Sequence, residues 1–255
     1  MSFYTGNWGD AFKELLLRKH SIGERDVCMG LQVGEANSFI YICQLFEGVF
    51  LWANEIHTRY LEYPDYDLNR LNYAVINLCI AGRCEVGLMD DTCIYMMPGL
   101  LSVNCNEPKG GYSYPGGLYE GIEIAFDLDV LQRQTPPEFS SFGLDLDFLN
   151  RVLEKGKGSY MAVVTEEAVQ QGRLLYESLR KGDLLLAGYR FLTVSLLYHL
   201  KNGYAGEIKD RTLATRGQRR IANEVEQILT EDYRRHFTVE ELADRFGISP
   251  SALKK

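Results

Sequence analysis

The sequence predicts an α+β chain. A β-rich barrel or sandwich comes first, a pair of helices second and a small helix-turn-helix tail last. Three observations predict this order. From Phe39 to Phe126, short runs of β-branched and aromatic residues alternate with Gly, Asn, Asp and Pro. After Asp127 the apolar spacing changes to that of helices. The stretch from Phe237 to Lys255, FTVEELADRFGISPSALKK, has the spacing of two short helices crossing at a steep angle.

The β-rich runs are FIYICQLFEGVFLWANEIHTRYLEY, LNYAVINLCIAG, CEVGLMDD, CIYMMPG, LLSVNCN and LYEGIEIAFDL. Ala81-Gly82 and Asp90-Asp91 read as hairpin turns. Many short strands at close spacing suit a barrel or sandwich. A helix containing His20 is expected before them.

LDLDFLNRVLEK and TEEAVQQGRLLYESLRKG then read as helices. In the second, Thr165 is the cap, Glu166 and Glu167 lie in the first turn, and Arg180 and Lys181 precede Gly182. Its buried stripe is expected to be Ala168, Leu175 and Leu179. The next segment, Asp183 to Asn202, is apolar nearly all round and needs cover on two sides. A second subunit is one source of that cover, with Leu185, Phe191, Leu192 and Leu196 as contacts, and burial within one chain is the other. The polar, glycine-spaced stretch GYAGEIKDRTLATRG reads as a linker. The expected divisions are 1–140, 141–202, 203–217 and 218–255.

The tail follows local rules closely. Ile221, Val225, Ile228 and Leu229 form a stripe on a helix from about Gln218 to Tyr233. Thr238 can cap the next helix, with Glu240 and Glu241 at its positive dipole end. Leu242, Ala243, Phe246, Ile248 and Leu253 fall where two crossed helices bury apolar groups. Gly247 sits where a turn needs positive φ. Ser249 caps the second helix and Pro250 takes its first position.

Composition narrows the function classes. The 255 residues are 46% hydrophobic and 24% charged, ordinary for a globular protein. No apolar run reaches membrane-spanning length and no signal peptide is evident, so a cytoplasmic protein without membrane contact is expected. Six cysteines lack CxxC spacing, which argues against zinc and disulfides and for buried thiols. Net charge is −8, yet from Lys209 onward ten basic residues outnumber eight acidic ones. A locally basic tail on an acidic body suits DNA contact confined to the tail.

Catalysis has little to stand on. The chain has four histidines, and one histidine beside Glu55 on a strand does not make a metal site. No nucleophile elbow, P-loop or dinucleotide fingerprint occurs. Cys84 beside Arg83 and Glu85 sits at a turn, without an activating site. No cofactor and no enzymatic activity are expected. Binding fits better. Trp52, His57, Tyr60, Tyr63, Tyr66, Tyr73 and Asn77, then Tyr112, Tyr114 and Tyr119, cluster on the strand-rich half. As a group they suit a pocket with polar handles, although any single tyrosine better suits the cover of a barrel end or dimer edge.

The fragment IANEVEQILTEDYRRHFTVEELADRFGISPSALKK resembles the first half of the DNA-binding domain of the AraC/XylS family of bacterial transcription regulators. The order of strands, helical hairpin, linker and helix-turn-helix resembles that family too. INLCIAGRCEVGLMDDTCIYMMPGLLSVN (76–104) is similar to the sensor barrel of its pyochelin-regulator-like branch. The resemblance implies an N-terminal cupin-like β-barrel that senses a small-molecule effector, helices that form a homodimer, and a tail that binds double-stranded operator DNA. It implies DNA contacts from Ser251, Ala252, Lys254 and Lys255 on the recognition helix, with Ser249, Thr238, Arg219 and Arg220 beside it. Effector contacts would come from Trp52, His57, Tyr60, Tyr73, Asn77, Tyr112 and Tyr114. The family's second helix-turn-helix does not occur in these 255 residues, so weak DNA binding by this chain is expected. Two alternatives are a non-metal cupin enzyme and a stand-alone ligand sensor or dimerisation protein without DNA binding.

Overall fold

The computed structural model describes residues 19–22, 28–33, 37–61, 72–87, 92–105, 111–144, 146–155, 159–202, 204–207 and 214–254. Its strands are β1 (Lys19–Ile22), β2 (Cys28–Val33), β3 (Ser38–Phe46), β4 (Val49–Ile56), β5 (Tyr73–Gly82), β6 (Cys84–Gly87), β7 (Thr92–Met96), β8 (Leu100–Cys105), β9 (Tyr112–Ser113), β10 (Tyr119–Asp127), β11 (Ser159–Val164), β12 (Tyr204–Glu207) and β13 (Ala214–Thr215). The helices are α1 (Leu128–Arg133), α2 (Pro137–Ser141), α3 (Leu146–Lys155), α4 (Glu166–Lys181), α5 (Leu186–Asn202), α6 (Arg216–Glu231), α7 (Val239–Phe246) and α8 (Pro250–Leu253). The chain is a mixed α/β protein with a large antiparallel sheet.

Among the described residues, that sheet runs β1-β2-β3-β4-β10-β5-β8-β11-β12, and a smaller one runs β13-β7-β6-β9. Strands β3, β4, β5 and β10 are buried almost throughout because both faces of the large sheet are covered. This is why their sequences read as continuous apolar runs rather than alternating ones. On one face Leu45, Leu51, Leu78 and Ile124 pack under Ala168, Leu175 and Leu179 of α4 and Leu196, Leu197 and Leu200 of α5. On the other, Ile42, Phe50, Cys79 and Ala125 meet Cys84, Val86, Ile94 and Met96 of the small sheet.

Helix α4 forms as its sequence dictates. Thr165 Oγ1 accepts from the Ala168 amide at 3.4 Å, and Gly182 ends the helix in the left-handed conformation. Ala168, Leu175 and Leu179 are fully buried.

Several expectations change. His20 lies on strand β1, not on a helix. The segment SYMAVV forms β11, whose apolar run is too short to separate strand from helix by period. The stretch read as a linker is partly sheet. β12 pairs with β11, and β13 pairs with β7, which brings the start of α6 against the small sheet. Both strands are very short, so they leave no periodic signal. Tyr63, Tyr66, Asp90-Asp91, Lys255 and the part of the expected N-terminal helix before Lys19 lie outside the described residues. No helix among the described residues is long and apolar enough to cross a membrane.

Candidate functional site

The tail builds its helix-turn-helix by strong local signals. Thr238 Oγ1 accepts from the Glu241 amide at 3.1 Å, and the Glu241 carboxylate accepts from the Thr238 amide at 2.9 Å. That amide hydrogen bond holds the Glu241 carboxyl below its usual range. Gly247 takes φ 64°, and the amides of Gly247 and Ile248 donate to Asp244 O and Ala243 O at 3.2 and 3.1 Å. Ser249 Oγ then accepts from the Ala252 amide at 3.2 Å to start α8. Leu242 and Ala243 are buried at the helix contact, while Phe246, Ile248 and Leu253 are half-buried. Ser251, Ala252 and Lys254 are exposed on α8. Thr238 and Ser249 each accept one capping hydrogen bond, and Ser249 Oγ also lies 3.0 Å from Ser251 Oγ.

The helix before this unit is docked on the body. Thr215 and Gln218 form a capping box at 3.3 and 2.8 Å that starts α6. Ile221, Val225 and Ile228 are half-buried, and Leu229 is exposed. Arg220 pairs with Glu224 one turn on, at 2.8 Å, and stays largely in solvent. Arg219, expected to meet DNA, instead turns toward the body, with Nε 3.8 Å from the buried carboxylate of Glu85 on β6. Glu226 of the same helix accepts from Arg83 Nη2 at 2.6 Å. Burial pushes the Glu85 carboxyl up, opposed by a hydrogen bond from Ser113 Oγ at 2.9 Å and by the charges of Arg219 and Arg83. Two ion pairs therefore join α6 to the edge of the small sheet.

The body holds a polar cluster between its sheets. Glu123 on β10 stands directly across from Trp52 on β4 and Asn77 on β5. Asn77 Nδ2 donates to Glu123 Oε1 at 3.2 Å, and Tyr119 OH donates to Asn77 Oδ1 at 2.7 Å. Ser102 follows across β8. Burial pushes the Glu123 carboxyl up to about 7, against a lowering hydrogen bond from Asn54. Burial also pushes the Cys79 thiol up to about 12 and Cys84 well up, which leaves both as poor nucleophiles.

Of the residues expected to bind an effector, Trp52, Tyr73, Asn77, Tyr112 and Tyr114 share this inter-sheet region. His57 and Tyr60 do not join it. His57 is exposed beyond the end of β4, with its ring 3.3 Å from Glu55, and Tyr60 is 73% exposed. Glu55 itself belongs to the helix-covered face, where Tyr41 OH and Arg180 Nε reach it at 2.8 and 3.1 Å. Sequence reasoning missed Glu123, Asn54 and Glu85. A carboxylate inside GIEIAF, in step with the inward parity of Ala125, is the signal that marks Glu123.

The sign of the Glu123 effect on stability can be worked out. Its folded carboxyl titrates near 7 and its unfolded one near 4.5, so the folded state holds more protons between those values. The stabilisation is complete below about pH 4.5 and is lost as pH rises through 7, by up to about 3 kcal/mol. Glu123→Gln should flatten this part of the profile in denaturation curves taken from pH 4.5 to 8, leaving a slope of the same sign from Glu85.

No family model matches the chain, and no curated protein matches it. Among solved structures, the AraC-like transcriptional activator CuxR is similar at 10% identity, over 96% of this chain and 82% of that one, with a TM-score of 0.37. ToxT from Vibrio cholerae is similar at 7% identity, over 81% and 73%, with a TM-score of 0.28. The EutQ protein of Clostridium difficile is similar at 14% identity, over 46% and 80%, with a TM-score of 0.27. At these TM-scores none of the likenesses carries an argument about what the chain does.

Proposed function

We propose that the protein is a ligand-responsive, DNA-binding transcription regulator of the AraC/XylS type, with a cupin-like sensor body. One observation carries the reading. Two capped helices cross over buried Leu242 and Ala243 about a left-handed Gly247, and the first turn of the second helix presents Ser251 and Ala252 to solvent. A short helix exposed in this way fits the major groove, where its first turn meets base edges. Lys254 and Arg220, both exposed, supply charge for phosphates. The inter-sheet cluster supplies the effector site, and the Arg83–Glu226 and Arg219–Glu85 pairs couple body to tail. An effector acts by favouring one of two arrangements of that joint. Selection of duplexes from a randomised pool by this chain tests the reading, with Ser251 and Ala252 as the residues that redirect the preference.

The body pairs with a second copy through α5. Leu185 and Phe191 are 60% and 72% exposed. Tyr198 is also exposed and meets the exposed ring of Phe142 edge-on, with centroids 6.0 Å apart. Leu196 and Leu192, expected as contacts, face the other way. Leu196 is 1% exposed in the chain's own core and Leu192 packs against that core, because α5 turns that stripe toward the large sheet. Burying one such apolar side chain in a partner is worth roughly 1.5–3 kcal/mol. Phe191→Glu should therefore yield a folded monomer in sedimentation, with thermal stability otherwise retained. A dimer of unchanged affinity would exclude this face.

A further inference from the structure

The inter-sheet cluster has a definite chemistry. Trp52, Glu123, Val75, Asn104 and Gln44 lie in the middle or inner ends of their strands and on the inward face, yet each keeps partial solvent exposure. Their neighbours Ile42, Phe50 and Ala125 are buried. They are linked by register: Glu123 opposes Trp52, Val75 opposes both Ala125 and Asn104, and Gln44 opposes Phe50. Solvent therefore reaches this inner floor of β3, β4, β10, β5 and β8 at those five side chains. Glu123 is the acidic side chain on this floor, held by neutral donors from Asn54 and Asn77. No basic side chain among the described residues holds the Glu123 carboxyl down.

We propose that this floor binds a small molecule carrying a protonated amine, with Glu123 as its counter-charge and Trp52 as an aromatic wall. A carboxylate with amide donors alone is undercompensated in an apolar interior. A ligand cation supplies the opposite charge at hydrogen-bond range. The indole of Trp52, beside Glu123 on the neighbouring strand, adds the attraction of its ring face for a cation. Val75, which is partly exposed beside them, suits an apolar body on the same ligand. Anionic ligands are disfavoured, because they would meet Glu123, which no basic side chain among the described residues offsets. The proposal names the effector class and rests on the sensor reading above for its biological use, although the binding chemistry stands without it.

The experiment uses the fluorescence of Trp52. The chain has two tryptophans, Trp8 and Trp52, so Trp8→Phe leaves one reporter. Three probes of one shape are titrated: 2-phenylethylamine, 2-phenylethanol and phenylacetate. The amine should bind saturably and tightest, and phenylacetate weakest. Glu123→Gln, which keeps the shape and one acceptor oxygen, should weaken the amine roughly ten-fold or more and leave the alcohol nearly unchanged. The comparison of the three probes on the unaltered inner face needs no Glu123 variant, so a misfolded variant does not rescue the idea. Phenylacetate or phenylethanol binding as tightly as the amine overturns it, as does an amine that fails to bind at millimolar concentration. Duplex selection separates the two claims. Amine binding without any enriched duplex keeps this site and removes the regulator, while an enriched duplex with a preferred anion does the reverse.

Discussion

Gly82→Ala should destabilise the protein by about 3 kcal/mol or more, enough to deplete soluble protein in cells. Gly82 ends β5 where the chain leaves the large sheet for the small one, and it holds φ 72°. A Cβ there would overlap the Leu118 carbonyl oxygen and sit 2.6 Å from its carbonyl carbon. That carbonyl is not free to retreat, because it accepts from the Arg83 amide at 3.1 Å. Gly99 separates sterics from backbone strain. It also has positive φ, 83°, but a Cβ there meets nothing within 4 Å. Gly99→Ala should cost only about 1–2 kcal/mol. Equal losses for the two in urea denaturation would contradict this geometry.

The second large effect is on DNA. Glu85→Gln should tighten duplex binding several-fold, roughly 3- to 10-fold at low salt, and steepen the salt dependence by about one phosphate. Arg219 now faces a buried carboxylate, so the body competes with phosphate for its charge. Neutralising Glu85 removes the competitor while Ser113 keeps a hydrogen-bond partner. Arg219→Gln in the Glu85→Gln background should abolish the gain. An unchanged salt slope in Glu85→Gln would mean that Arg219 never reaches DNA. The Arg83–Glu226 pair is about one-third exposed on each side, so its loss alone should shift little.

How much was legible follows from how each signal is generated. Helix α4 and the tail helices are written locally. Thr165, Thr238 and Ser249 cap where capping chemistry places them, whereas Thr215 caps α6 inside the stretch read as linker. The central strands were visible as apolar runs, but their pairing order was not, because β10 inserts between β4 and β5 through long-range contacts. Strands β12 and β13 take their shape from the strands beside them, so a polar, glycine-spaced stretch read as a linker. At the inner cluster, Trp52 and Asn77 were legible as polar or aromatic interruptions of strand. Glu123 was not, since only the register across β4, β10 and β5 shows that it shares a face with them. His57 and Leu196 went astray for one reason. Which way a side chain points at a strand end, or around an all-apolar helix, depends on tertiary packing.

The claim that the tail reads DNA is tested most directly by duplex selection from a randomised pool at low salt, run in parallel with the unaltered chain and with Ser251→Asn and Ala252→Arg variants. Both positions are exposed in the first turn of α8, and neither side chain supports the core. The account predicts one enriched sequence for the unaltered chain and a different enriched sequence for each variant, with folding unchanged. No enrichment by any of the three, or the same sequence enriched by all, would contradict it.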